Sequence, residues 1–470
     1  MLNNFKLGFI QLAIIFLPAI VSQNVSGQAW STNLKKNQQQ FVDLRFGMFI
    51  HFNMGTFQDE DWADPDASPA LFNPTKLDCD QWAKAAKSAN MSYGCLTAKH
   101  HSGFCIWDTK TTDYDVMSSP LKRDVVKEYV TAFRNNGLRV MLYYSILDTH
   151  HKLRPGKINK SHIEMVKEQI TELFTQYGPI DALFIDGWDA PWARISYDEI
   201  PFQDIYLLVK SLQPDCLFMD LNAGKYPSDG LFYSDIKSYE QGAGQHISKE
   251  ANRFPAMSCL PLQKRWFWKT NFPDTPVKDP VEMIENNVKP LNKAYCNFIL
   301  NVAPNREGLI DANALEALKK MGSIWKNDGQ VAKLSLDTGA PVISPNLAKF
   351  KPVNASWSND SEIMDLANDD NFSTAWKSNP SVKQPWIEVD LERFQPFNTI
   401  SIVETNTYLT DYQIEYYSLG QWKKIPLEQS RKRVKIHRFD QVWGSKVRIS
   451  INKFTSPPEI SEIGIYLEPR

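Results

Sequence analysis

Asp186 closes the apolar run Ala182-Leu-Phe-Ile185 and stands directly before Gly187-Trp188, so a buried strand delivers a carboxylate into a cleft beside an indole. An Asp in that place can also serve as the N-cap of a following helix, and the pattern by itself leaves both readings open. Carboxylates and aromatics at the mouth of a nearly neutral protein suggest glycoside chemistry, which needs two carboxyl groups flanking the scissile bond. The second carboxylate is harder to place: Glu240, in Asp235-Ile-Lys-Ser-Tyr-Glu240-Gln, is one candidate, Asp235, Glu250 and Asp220 compete with it, and any of them could be a solvated loop charge. The adjacent His100 and His101 end another apolar run and can hydrogen-bond neighbouring sugar hydroxyls. The alternative for paired histidines is a metal site, for which Asp148, His150 and His151 could complete the ligands.

The elements around these residues follow a βα rhythm. Asp80–Asn90 reads as a helix and Ser92–Lys99 as a strand ending at His100. Val125, Val126, Tyr129, Val130 and Phe133 share one helical face, Gly137 is a C′ residue, and Leu138–Ser145 is a strand. Ser161 with Glu164 reads as a capping box opening a helix that runs to Tyr177 and stops at Gly178-Pro179, after which Ile180–Ile185 is a strand. Such units repeated over roughly 300 residues imply a parallel barrel, a (β/α)8-like TIM barrel of α/β class, whose catalytic groups sit at the C-terminal ends of its strands. His51, His100, His101, Tyr143, Tyr144 and Asp186 all stand at or near such ends. A doubly wound sheet is the competing architecture, but no glycine-rich phosphate loop occurs. Beyond Gln330 the texture changes to short alternating strands, 386–391, 399–403, 412–416 and 446–451, the pattern of an all-β sandwich.

A chain of 470 residues with 52 Lys+Arg against 54 Asp+Glu is long enough for two domains and gives no electrostatic reason to bind nucleic acid. Its 14 Trp, 17 Tyr and 26 Phe admit either carbohydrate binding or a bulky core. Residues 1–28 read as a cleavable secretory signal: Lys6, then an apolar stretch from Leu7 to Val21 interrupted by Gln11 and Pro18, then a small polar segment. A membrane anchor needs about 20 apolar residues, more than this stretch supplies, and no other segment is long and apolar enough to span a bilayer. Cys79, Cys95, Cys105, Cys216, Cys259 and Cys296 show no CxxC or zinc spacing, and single buried thiols are the expected state. The expected organisation is therefore a signal over 1–28, a catalytic barrel over 29–335 and a β-sandwich over 340–470.

Several segments in one order resemble the family 29 glycoside hydrolases, the α-L-fucosidases: Arg45-Phe-Gly-Met-Phe-Ile-His51, Leu96–Asp108 with its His100-His101, Gly137–Ser145, Leu183-Phe-Ile-Asp-Gly-Trp188 and Phe298–Ile310. The resemblance implies a retaining exo-α-L-fucosidase that needs no cofactor for catalysis and acts on fucosylated oligosaccharides or glycoconjugates. It implies Asp186 as the nucleophile that forms a fucosyl ester, and His51, His100, His101 and Tyr143 as residues that bind the sugar or lie near the nucleophile. Retention further implies carboxyl groups about 5–5.5 Å apart and an acid held protonated by burial. Glu240 stands at the family's variable acid/base position without the Thr-Pro that often precedes it, and Glu250 is the alternative. Where many relatives carry another Glu, this chain has Met257. That loss motivates a second reading, a fucoside-binding protein without catalysis; a third keeps the fold and changes the glycone to a relative of fucose, an α-L-galactosidase on the same scaffold.

Trp188, Trp266 and Trp268 are pocket candidates, with core packing as the plain alternative for the last two. The last 130 residues resemble a discoidin or coagulation-factor type C domain, through Ala367–Trp376, Trp386–Leu391 and Ile460–Tyr466. That resemblance implies a structural calcium with Asp370 and Thr374 as ligands. Neither the oligomeric state nor sugar binding by this domain is written in the sequence.

Overall fold

The computed structural model describes residues 33–249, 252–329, 331, 333–334 and 339–469; the signal read in 1–28, the alternative acid Glu250 and part of the stretch between the domains lie outside the described residues. Eight parallel strands form one sheet: β1 (Phe46–Ile50), β2 (Tyr93–Lys99), β3 (Arg139–Ser145), β4 (Ala182–Asp186), β5 (Leu217–Asp220), β6 (Lys237–Glu240), β7 (Ala256–Pro261) and β8 (Cys296–Asn301). Their order, β5-β4-β3-β2-β1-β8-β7-β6, curls into a nearly closed TIM-like barrel. Strands β1, β2, β5 and β8 are buried along their whole length, as strands covered on both faces must be, and this is why they read as unbroken apolar runs. Alternate residues such as Phe49, Met141, Phe184, Met219, Met257 and Ile299 fill the barrel, while the opposite faces pack against the helices.

The helices begin where short polar side chains satisfy free N–H groups. Asp78 accepts from the N–H groups of Asp80 and Gln81 at the head of Cys79–Ser88, and Asp124 accepts from that of Lys127 at the head of Val125–Asn135. The expected capping box at Ser161 is displaced. Helix Lys160–Gln176 is capped two residues earlier by Asn159, which accepts from the His162 N–H at 3.1 Å and from the Ser161 hydroxyl at 2.7 Å.

No ladder joins β5 to β6 among the described residues, and the seam is held by Asp235. Its buried carboxylate accepts from Lys210 Nζ at 2.7 Å, the Tyr206 hydroxyl at 2.8 Å and the Phe218 N–H at 2.9 Å. Asp235, one of the competing acids, is therefore part of the frame. Asp220 is likewise buried, accepting from the Tyr197 hydroxyl and the Asn222 N–H, both at 2.8 Å.

The C-terminal unit is an antiparallel sheet around its own apolar core. The segments expected as separate strands at 386–391 and 399–403 are two halves of one strand, Trp386–Glu404, whose register shifts after Asp390 and again after Phe397; 446–451 lies within Val434–Phe454. This unit docks on the segment between β5 and β6. Tyr233 and Val342 pair through backbone, the Tyr233 hydroxyl donates to Ser344 O at 3.0 Å, and Arg433 pairs with Asp229. All six cysteines are free and buried, in line with the sequence reading.

Breaking the seam tests this arrangement. Asp235→Ala leaves the Lys210 ammonium buried without its partner and should lower unfolding free energy by about 3–5 kcal/mol, read by chemical denaturation. A loss below about 1 kcal/mol, the size of an exposed ion pair, would contradict the assigned role.

Candidate active site

A pocket of about 110 Å³ opens at the C-terminal ends of the strands, lined by Phe49, His51, Asp61, Trp62, His100, His101, Tyr143, Asp186, Trp192, Leu221, Glu240, Cys259 and Trp266. Five expected strand-end groups (His51, His100, His101, Tyr143 and Asp186) meet here, joined by Glu240 from the last position of β6, whereas Tyr144 turns away from the pocket to Lys99 and Gln169.

Asp186 is fixed by three donors. The Tyr143 hydroxyl reaches Oδ2 at 2.7 Å, while Asn222 Nδ2 (2.6 Å) and the Gly187 N–H (2.8 Å) reach Oδ1. Gly187 has to be glycine: its φ is +102°, and a Cβ would stand 2.7 Å from the backbone nitrogen of Leu147. Glu240 meets a different environment. Burial first, and then the charge on Asp186, push its carboxyl up to about 7, against which the Trp266 indole N–H donates a hydrogen bond that favours the ionised form. Two carboxyl groups in one pocket are thus set for different tasks, the pattern by which acid and base roles are divided at one pH.

The imidazoles are neutral at neutral pH. Burial drives His51 and His101 down to about 4, and His100, which also faces the other two, well below its ordinary range. Their tautomers follow from their partners. Asn301 donates from Nδ2 to Trp266 O (2.7 Å), so its Oδ1 accepts the Nδ1–H of His51 at 2.7 Å. Ser145 donates to Leu147 O (2.8 Å), so its Oγ accepts the Nδ1–H of His101 at 2.8 Å. Each ring is left with Nε2 as an acceptor, and that of His101 lies 3.8 Å from Asp186 Oδ2. A neutral acceptor wall suits hydroxyl groups.

Trp188 does not line the pocket. It is fully buried behind β4 against Tyr197, Phe202 and Phe218, and its N–H donates to Ile200 O at 3.0 Å; after the φ-positive Gly187 the chain turns the indole into the helix layer. Trp268 also faces away, donating to Asp311 Oδ2 at 2.6 Å with the Arg306 guanidinium over its ring. The pocket indoles are Trp266, beside Glu240, and two that sequence reasoning missed, Trp62 and Trp192, which are 51% and 45% exposed at the rim. Both approach His101, at ring distances of 4.6 and 4.5 Å. They lie in loops without periodicity, so no pattern singled them out. Asn222 and Asn301 were missed as well, although Asn301 lies inside the Phe298–Ile310 motif.

The alternative metal set falls apart: Asp148 accepts from buried Lys99 (3.2 Å) and from His151 Nδ1 (2.8 Å), while His150 bonds Pro65 O at 2.7 Å. The calcium expectation does not fit the residues either. Asp370 pairs with Lys349 (2.7 Å) and Lys225 (3.2 Å), so ammonium groups stand beside the carboxylate where the ion would go, and the Thr374 hydroxyl turns instead to Asp369 Oδ2 at 2.7 Å. Among the described residues no three His, Cys, Asp or Glu gather as a metal site. Met257, where the resemblance implied the loss of a further Glu, packs inside the barrel rather than on the pocket wall.

Comparison with known proteins identifies the family. The family model "Alpha-L-fucosidase" matches residues 58–330, and "F5/8 type C domain" matches residues 352–464. Alpha-L-fucosidase 1 of Arabidopsis thaliana is 27% identical over 450 residues, covering 90% of this chain and 85% of that protein. Among solved structures, a putative alpha-L-fucosidase from Bacteroides thetaiotaomicron shares the fold at TM-score 0.50 and 24% identity, over 92% of this chain and 97% of its own. SpGH29 does so at TM-score 0.52 and 21% identity, over 93% and 98%. With more than half its length matched by the family model and two unlike carboxyl groups in the barrel mouth, the chain belongs to the alpha-L-fucosidase family of glycoside hydrolases.

Proposed function

We propose that the protein is a retaining exo-α-L-fucosidase that releases terminal α-L-fucose from glycans by double displacement. The observation that carries this reading is the pairing of Asp186, held by three donors, with Glu240, whose carboxyl is pushed up to about 7 in the same pocket. Asp186 attacks the anomeric carbon while the Glu240 carboxyl gives its proton to the departing glycosidic oxygen, leaving a fucosyl ester on Asp186 and a carboxylate on Glu240. That carboxylate then takes a proton from water as the water oxygen displaces Asp186 from the anomeric carbon, which restores both groups. Neutral His51, His100 and His101 accept from sugar hydroxyls, which requires no charge to be desolvated. Export through residues 1–28 belongs to the same proposal and rests on the apolar run Leu7–Val21.

Asp186→Ala should lower kcat/KM on an aryl α-L-fucoside by roughly 10⁴-fold or more, with azide restoring turnover and yielding the fucosyl azide of inverted configuration. An unimpaired variant would remove Asp186 from the nucleophile's role, and wild-type protein that binds fucosides without turning over would favour the non-catalytic reading. Because Glu240 works protonated, kcat/KM should fall as pH rises through about 7. Trp266→Phe deletes the donor that favours the Glu240 carboxylate, so it should move that alkaline limb to higher pH; movement to lower pH would contradict the assignment.

A further inference from the structure

The loop that follows Asp186 carries Trp192 to the rim of the pocket and is tied down on its far side by the other domain. Asp189, three residues beyond Asp186, sits in the left-handed region at φ +47°, with its N–H closing the loop on Ile195 O at 2.7 Å. Its carboxylate pairs with Lys225, from the β5–β6 connection, and Lys225 Nζ also reaches Asp370 of the C-terminal sheet at 3.2 Å. Asp370 is held in turn by Lys349 at 2.7 Å, and Tyr226 meets Phe372 edge-on at 5.3 Å, so the ammonium is gripped between two domains. Lys225 does not line the pocket, whereas Trp192 does, half exposed at its rim.

We propose that Lys225 is a positioning residue through which the C-terminal domain fixes the 187–195 loop, so that Trp192 forms the wall met by the substrate's leaving group. The inference rests on the fucosidase reading above. It gives the second domain a part in choosing the leaving group without requiring that it bind sugar itself.

The test compares α-L-fucosyl fluoride, whose leaving group is one atom and touches no rim, with an α-fucosylated disaccharide, using the full chain. In Lys225→Met and in the milder Asp370→Asn, kcat/KM for the fluoride should stay within about twofold, while KM for the disaccharide rises roughly tenfold with kcat retained. The double variant should be no worse than Lys225→Met alone, since both changes cut one relay. Equal losses on both substrates, or no loss on the disaccharide in either single variant, would overturn the proposal. Wild-type protein inert toward the fluoride would instead refute the fucosidase reading.

Discussion

The carboxylate of Asp186 and the carboxyl of Glu240 share one pocket, and the charge on the first bears on the proton of the second. The charge on Asp186 adds to desolvation in keeping a proton on Glu240, and this makes Glu240 an acid at neutral pH. The arrangement needs Asp186 held without a permanent cation close by, because a nearby ammonium would favour ionising both carboxyl groups. The donors to Asp186 are accordingly neutral: a tyrosine hydroxyl, a side-chain amide and a backbone N–H.

The same constraint reaches the histidines and the frame. Rings driven to about 4 by burial add no charge to the pocket, and their outer nitrogens are locked as donors by Asn301 and Ser145. The buried lysines of the frame are engaged elsewhere. Lys99 is buried one residue before His100 but turns outward, to Asp148, the Tyr144 hydroxyl (3.0 Å) and Gln169 Oε1 (3.1 Å). Lys210 is spent on the seam, and Lys225 on the joint between domains.

The barrel was legible because parallel strands covered on both faces leave unbroken apolar runs, and a polar residue that ends such a run points into the mouth. That rule located His51, His100, His101, Tyr143 and Asp186. Glu240 ends a strand of only four residues, too short to show periodicity, and needed family resemblance. Direction was not legible: Trp188 follows Asp186 by two residues yet turns into the helix layer, because the sign of φ at Gly187 decides which way the chain leaves the strand. Contacts between distant loops left no trace either, so Trp62, Trp192 and the lysine joint emerged only with the fold. In the second domain, the Asp-rich turn suggested a cation, and the lysines that answer Asp370 lie far from it in sequence.

The coupling between the two carboxyl groups is the claim on which the mechanism stands, and it can be observed without substrate. A side-chain carbon NMR titration of Glu240 should give a midpoint near 7 in the native protein, and a lower one in Asp186→Asn, where the neighbouring charge is gone. A Glu240 that titrates like an exposed glutamate, at about 4.3, or whose midpoint ignores the loss of Asp186, would contradict the account.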